Sequence, residues 1–346
     1  MLDDDFERRL IHNTQPVRYF FLAQALHHAL HEGLFAALVK EPGLSAEALA
    51  ERLELDAYRV GGLLRYLRNE GYTVLDDGWS LSSRGVEVQT FAPWYEMLVG
   101  GYAPSMDQLG DVLRDGSIYA SRNTTKVGEG SCGIGAYDAL PLVEKLLAQV
   151  EVDGGPEKIV DLGCGDGSFL MDLLVVKPGL RGLGVEPNAG SITLGERRRA
   201  DLGLDGRMEL VQGAAQDATR LGLPDGGRGI CFMTAFVLQE VLQQEGQEVV
   251  ERLLADTFEA YPEARWMVVE MDHKPLAPVM GSHGLALAFY NPYFLIHTVT
   301  EQRLQTREWW DALFERLGLT VEAVAEPDPR ADSTGLQFGV VLSKKP

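Results

Sequence analysis

The 346 residues carry 51 acidic against 31 basic side chains, a formal charge of −20, and 45% of them are apolar. That balance supports a sizeable core, one large domain plus a smaller one, and argues against disorder. It also argues against nucleic acid as a partner, because phosphates would repel such a surface. The three dispersed cysteines, Cys132, Cys164 and Cys231, form neither a disulfide framework nor a zinc ribbon. The acidic start MLDDDFERRL lacks the order of a signal peptide. The most apolar long stretch, GLALAFYNPYFLIHTVT from Gly284, is interrupted by Asn291, Pro292 and His297. A cytoplasmic protein without a membrane partner is expected.

Residues 15–39, QPVRYFFLAQALHHALHEGLFAALV, place apolar side chains at helical spacing on more than one face, so a second subunit is expected to cover part of them. His27, His28 and His31 on this helix read as packing or interface residues. Ser45 before EALAERL starts a helix, and a second helix runs from about Asp56 to Asn69 and stops at Gly71. The runs YTVL and WSLS flank the turn Asp76-Asp77-Gly78 as a hairpin. Helix, turn, helix and hairpin predict a winged helix over residues 1–91. Arg59, Arg65 and Arg68 lack a continuous basic tract, so this predicts a dimerisation module of a homodimer, not a DNA reader.

Residues 92–150, with Trp94, Arg122 and the glycine-rich VGEGSCGIGAYDALPLV, read as a connector and substrate lid. From 151 to 346 strand-like and helical runs alternate: IVDLG, SFLMDLLVV, LRGLGVEP, ITLGERRRADLG, RMELVQG, ICFMTAF, a helix from Val237, RWMVVEM and a helix from Thr306 to Leu317. Such alternation predicts an α/β domain with a doubly wound, mostly parallel sheet. The consecutive runs LTVEAVAE and LQFGVVLS predict a final hairpin that adds an antiparallel last strand.

In an open parallel sheet, ligands gather beyond the strand ends near the first strand-to-helix turn. Here that turn is IVDLGCGDGSFL, with Gly163, Gly165 and Gly167 on alternate positions, Asp161 before them and Asp166 among them. A pyrophosphate wants bare helix N-terminal N–H groups, and two carboxylates would repel it. They suit a ligand that carries positive charge, such as one with an amino group and a sulfonium.

At these residues the chain resembles the class I S-adenosylmethionine-dependent methyltransferases, whose Rossmann-like sheet begins with such a glycine turn. The resemblance covers about residues 157–346. It implies that S-adenosylmethionine binds at Asp161, Gly163, Gly165, Asp166 and Gly167, with Glu186 at the end of the next strand holding the ribose hydroxyls. It further implies Pro187 beside Glu186, then Ala214, Ala215 and Gln216 of VQGAAQDA at the adenine, and Thr234 in the fourth strand. A winged-helix front with a methyltransferase back is similar to the dimeric small-molecule methyltransferases. Their O-methylating members place a histidine base after the fourth strand. In FVLQEVL, Gln239 stands at that position, which counts against ordinary phenol O-methylation.

The segment LALAFYNPYFLIHTVTEQRLQTREWW, with QPVRYFFLAQALHHAL and GIGAYDALPLV, resembles the 2-oxo acid C-methyltransferases. That family methylates C3 of acids such as 2-ketoarginine, phenylpyruvate and 4-methyl-2-oxovalerate, toward β-methyl amino acids of peptide natural products, antibiotics among them. C3 becomes nucleophilic only as an enol or enolate, so an enzyme must hold the carboxylate, steady the 2-oxo oxygen and supply a base. Arg122 is the candidate for the carboxylate, because an arginine fork binds it bidentately. Gln239, Glu240, Asp272, His273, His283 and His297 are candidates for the oxo group and the proton. Some relatives use a divalent metal held by two histidines. His297 fits the second of these and Gln239 replaces the first, so either a metal sits there or the Gln239 amide donates to the enolate, with Glu240 or His297 as base. Asp107, Glu96, Trp94, Phe289 and Tyr293 could line the rest of a substrate pocket. The alternatives are an O-methyltransferase of a phenol or carboxylate, and a non-catalytic winged-helix regulator that senses S-adenosylmethionine.

Overall fold

The computed structural model describes residues 3–151 and 155–344. The chain divides into two compact units, Met1–Ala103 and Pro104–Pro346, so the boundary falls inside the expected connector.

In the first unit the helices Phe6–Asn13, Gln15–His31, Leu34–Lys40, Ala46–Leu53 and Ala57–Asn69 are followed by antiparallel strands β1 (Thr73–Leu75) and β2 (Trp79–Leu81). The Ser45 hydroxyl accepts from the Ala48 N–H at 3.1 Å, and Asp56 accepts from the Arg59 N–H at 2.9 Å. These caps satisfy amide donors that the first helical turn leaves unpaired. Leu26, Leu34, Phe35, Leu38, Leu49, Leu64 and Leu67 form the core of this unit. The long helix Gln15–His31 buries Leu22, Leu26 and Ala29 but leaves Val17 and Tyr19 outside, with Phe20 and Phe21 each 59% exposed.

In the second unit the helices Thr124–Gly135 and Ala139–Val150 precede β3 (Lys158–Leu162), the helix Ser168–Val176, β4 (Arg181–Glu186), the helix Ala189–Asp201 and β5 (Met208–Gln212). There follow β6 (Ile230–Ala235), the helices Leu238–Gln244 and Gln247–Ala260, β7 (Arg265–Met271), the helices Asn291–Val299 and Arg307–Arg316, then β8 (Leu319–Ala325) and β9 (Gln337–Lys344). Seven strands make one sheet in the order β5-β4-β3-β6-β7-β9-β8, parallel except for β9, which runs antiparallel to both its neighbours. This is the Rossmann-like methyltransferase sheet expected above.

Strand parity gives the sheet two apolar faces. On one, Phe232, Trp266, Val268 and Val340 pack with Leu254, Phe258, Trp310 and Leu313. On the other, Ile159, Met233, Met267 and Val341 pack with Leu142, Leu146, Leu170 and Leu174. The helix Ala139–Val150 is thus part of the covering layer, although the sequence placed it in a lid. Among the described residues no helix is long and apolar enough to cross a membrane.

Candidate active site

The strand order reverses between β3 and β6, and beyond the C-terminal ends of strands at such a reversal is the crevice where ligands collect in open α/β sheets. The glycine turn after β3 forms one side. Gly163, Gly165 and Gly167 all have positive φ (79°, 58° and 74°), backbone that L side chains adopt only under strain. A Cβ on Gly163 would also lie 2.7 Å from Val237 Cγ2, in the turn after β6. The two turns therefore fit only because residue 163 has no side chain.

Glu186 ends β4. One of its oxygens accepts from the Gly165 N–H at 3.1 Å and the other from the Asn188 N–H at 2.9 Å, so its carboxylate is fixed against the glycine turn. Asp161 is 3% exposed; burial, and then the neighbouring Glu186, push its carboxyl up to about 7. Two acids with so little compensation would be eased by a ligand that brings positive charge. Asp166 turns toward its own helix, accepting from the Ser168 N–H at 3.0 Å and from its hydroxyl, and lies 3.8 Å from Arg198. The Cys132 sulfur, from the helix Thr124–Gly135, would sit 3.4 Å from a Cβ on Gly165, so this helix crosses the turn. Burial and the Asp166 charge push the Cys132 thiol up to about 12.

The other residues implied for the cofactor are placed less uniformly. The Pro187 carbonyl accepts from the Gln212 amide at 3.1 Å, and Gln216 bonds Glu245. The Ala214 N–H reaches Asp217 at 3.3 Å, while Ala215 packs into the core. Thr234 is 0% exposed, and its hydroxyl accepts from the Trp266 indole N–H at 3.1 Å. It is a strand anchor beneath the crevice, with no surface open to a ligand.

The turn after β6 forms the other side. Phe236 takes φ 60°, a left-handed value rare outside glycine, and strain of this kind gathers at functional sites. Gln239 is 2% exposed. Its N–H donates to Glu270 at 3.3 Å and its side-chain nitrogen to the Tyr293 hydroxyl at 3.3 Å, while Oε1 is buried without a partner among the described residues. Glu270, at the end of β7, is pushed up to about 8 by burial, against the pull of the Gln239 N–H.

Next to Gln239, the Glu240 carboxylate accepts from Arg122 at 2.7 Å and from Gln302 at 2.8 Å. Arg122 and Glu240 are 118 residues apart in the chain, and only the fold joins them. His297 is 4% exposed and its ring lies 3.9 Å from that of Tyr293. Nδ1 contacts the Tyr293 carbonyl at 2.7 Å; a carbonyl can only accept, so Nδ1 carries the proton and Nε2 the lone pair. Burial lowers His297 to about 3, with the Arg122 charge pulling the same way, so the ring is neutral at ordinary pH. It lines a cavity of about 400 Å³ together with Tyr119, Gln243, His273, Phe294 and Gln302.

The remaining candidates sit elsewhere. Asp272 holds the Arg307 N–H at 2.9 Å and pairs with Lys274 at 2.6 Å, and half-buried His283 contacts the Ser333 hydroxyl. His273 lines the cavity, with its pKa lowered by burial. Asp107 is exposed, Trp94 packs edge-on to Phe91, and Glu96 contacts His31 at 3.2 Å within the first unit. A divalent metal does not fit. The amide of Gln239 stands where a histidine would be needed, and among the described residues no three His, Cys, Asp or Glu side chains gather to hold one. Phe236, Glu270 and Cys132 escaped the sequence reading. Of these, Glu270 left a signal, an acid inside the apolar run WMVVEM of a strand buried on both faces.

The sheet order, the acid-flanked glycine turn and Glu186 define a class I S-adenosylmethionine-dependent methyltransferase. No family model matches the chain. It is 42% identical over 353 aligned positions to 2-ketoarginine methyltransferase of Streptomyces arginensis, covering 99% of this chain and 98% of that protein. The chain belongs to that enzyme's family, the 2-oxo acid C-methyltransferases. Indolepyruvate C-methyltransferase of Streptomyces griseus is 25% identical over 245 positions, 68% of this chain and 69% of that protein. Among solved structures, mitomycin 7-O-methyltransferase superposes with a TM-score of 0.68 at 20% identity, covering 98% of this chain and 99% of that one. An O-methyltransferase of neocarzinostatin biosynthesis, in complex with S-adenosylmethionine and a naphthoic acid, has a TM-score of 0.58 at 17% identity, covering 94% and 96%. At such identities the two structures speak for the fold alone.

Proposed function

We propose that the protein transfers a methyl group from S-adenosylmethionine to C3 of a 2-oxo acid. The observation that carries this reading is His297, neutral, with its Nε2 lone pair fixed by the Nδ1 bond to Tyr293, in the neighbourhood of Arg122 and Gln239. In the proposed reaction Arg122, held in place by Glu240, binds the substrate carboxylate. Nε2 of His297 takes a proton from C3, and the C–H electron pair moves into the C2–C3 bond as the carbonyl pair shifts onto the C2 oxygen, whose negative charge offsets the imidazolium that burial disfavours. Rotating the Gln239 amide by half a turn keeps its bond to Tyr293, with the hydroxyl donating, and leaves an amide N–H for that oxygen. S-adenosylmethionine supplies the methyl group. C3 attacks it in line with the departing sulfur, which keeps the electron pair of the broken C–S bond. Glu240, whose oxygen already accepts from Arg122 and Gln302, serves as a positioning residue, and His297 is the base. Incubation with labelled S-adenosylmethionine and a panel of 2-oxo acids, followed by NMR, should place the label on C3. Label on a phenol oxygen and on no 2-oxo acid would overturn the reading.

For the methyl donor, Asp161 and the glycine turn would receive its amino acid end and Glu186 its ribose. Glu186→Ala should weaken S-adenosylmethionine binding by about 1.5–3 kcal/mol, the range for a hydrogen bond to a charged group. Unchanged affinity in isothermal titration would remove Glu186 from the site.

The first unit, with its helix pair and β1–β2 hairpin, we read as a winged helix used for dimerisation. The apolar side chains it exposes, Val17, Tyr19, Phe20 and Phe21, support a twofold partner. Sedimentation at micromolar concentration should find a dimer, and deleting residues 1–40 should leave an aggregating chain. A well-behaved full-length monomer would contradict this.

A further inference from the structure

A second polar cluster lies at the same edge of the sheet. Asp138 caps the helix Ala139–Val150, accepting from the Ala139 N–H. Asp332, in the loop between β8 and β9, is 7% exposed; it accepts from the Thr334 N–H at 2.8 Å and hydroxyl at 2.6 Å, and from the Tyr290 hydroxyl. Burial pushes the Asp138 carboxyl up to about 7, and the charge of Asp332 adds to this. Among the described residues, Asp332 is the charged group that acts on Asp138. Acids placed so are costly unless something positive reaches them.

A second observation points the same way. Gln337 is 1% exposed, and among the described residues neither its amide oxygen nor its nitrogen has a partner. Two residues on, on the same side of β9, Gly339 lies beneath Leu142 and Leu146. Lys145 bonds the Glu326 carbonyl and Gln149 the Val324 carbonyl, so the N-terminal end of this helix lies over the start of β9. Gln337 therefore lies on the face of β9 that this helix covers, beneath its N-terminal end, which Asp138 caps.

Resting on the C-methylation reading, we propose that Asp138, Asp332 and Gln337 receive a guanidinium carried at the far end of the 2-oxo acid. A guanidinium is planar, offers five N–H donors and accepts nothing. Two carboxylates and an amide oxygen supply acceptors, and the charge of the ligand offsets theirs. The reach is suitable: Tyr290 and His297 are seven residues apart along one helical segment, roughly 10 Å at 1.5 Å per residue. The stem from C3 to the guanidinium, together with the contacts at its two ends, covers about that span. An uncharged tail would bring neither acid a counter-charge.

The test is calorimetry in the presence of S-adenosylhomocysteine, with 2-ketoarginine and with 2-oxoheptanoate, a chain of similar reach and no charge. The wild type should bind 2-ketoarginine more tightly. Asp138→Asn, which keeps the helix cap, and Asp332→Asn should each weaken it on the order of 10- to 100-fold, the loss of one charged hydrogen bond. Both should leave 2-oxoheptanoate binding and the thermal midpoint nearly unchanged. Equal loss for both ligands, no loss, or a wild type that does not prefer 2-ketoarginine would overturn the proposal. Tight binding of 2-ketoarginine that depends on Asp138, without methyl transfer to any 2-oxo acid, would overturn the reaction and support the tail site.

Discussion

With S-adenosylhomocysteine in place of the methyl donor, the protein should exchange the C3 protons of a 2-oxo acid for deuterium in D2O, and Gln239→Ala should slow that exchange by roughly 10²–10³, the effect of one oxyanion donor. Exchange isolates proton removal from methyl transfer, so it reads the base and the enolate donor without the later step. His297→Ala should slow it by a similar order, on the order of 10²–10⁴ for a positioned base. Glu240→Gln keeps a partner for Arg122 and should change exchange far less than either. The pH profile carries a further check. Because burial lowers His297 to about 3, the base stays unprotonated as pH falls through 6.5, and the rate should hold where an ordinary imidazole would lose it. A chelator should leave exchange unaffected. Exchange that fades below pH 6.5, or that a divalent metal restores after chelation, would overturn this account of the base.

Gly163→Ala should cost about 2–5 kcal/mol of stability, combining about 1–2 for a left-handed L residue with about 1–3 for overpacking. The left-handed φ of 79° and the 2.7 Å approach to Val237 act together. Val237 branches at Cβ and has few rotamers with which to withdraw. Affinity for S-adenosylmethionine should fall at least tenfold, since the turn after β6 would be pushed off the turn that carries Gly165. Gly179→Ala, with nothing within 4 Å of its Cβ, is the control and should be near neutral. Thermal melts and titration calorimetry of the two variants would settle it, and equal stability would show that the turns are not coupled at Gly163.

The strands could be read from sequence because each is a short apolar run bounded by glycine or polar residues, and the turn of Gly163, Gly165 and Gly167 announces the ligand edge. Gln239 was visible as a departure within FVLQEVL. What could not be read was proximity. Nothing local to Arg122 indicates that it pairs with Glu240, and nothing local to His297 shows which nitrogen carries the proton. The helix Ala139–Val150 was misplaced because it precedes the first strand of the sheet, yet Leu142, Val143, Leu146 and Leu147 carry the apolar spacing of a core helix. Phe236 is a different case, since local preference disfavours a left-handed phenylalanine and only the surrounding packing imposes it.

The position of β9 has a consequence for how the protein is made. It is the latest of the described strands in the chain, yet it lies inside the sheet, between β7 and β8, with Gly339 beneath the helix Ala139–Val150. While the ribosome is still translating those residues, β7 shows an unpaired edge and β8 has no place to dock. The nascent chain must therefore wait with an open, apolar sheet margin until its closing strand emerges. Emergence of Gln337–Lys344 from the ribosome, and not the completion of any earlier segment, is the moment at which this sheet can close.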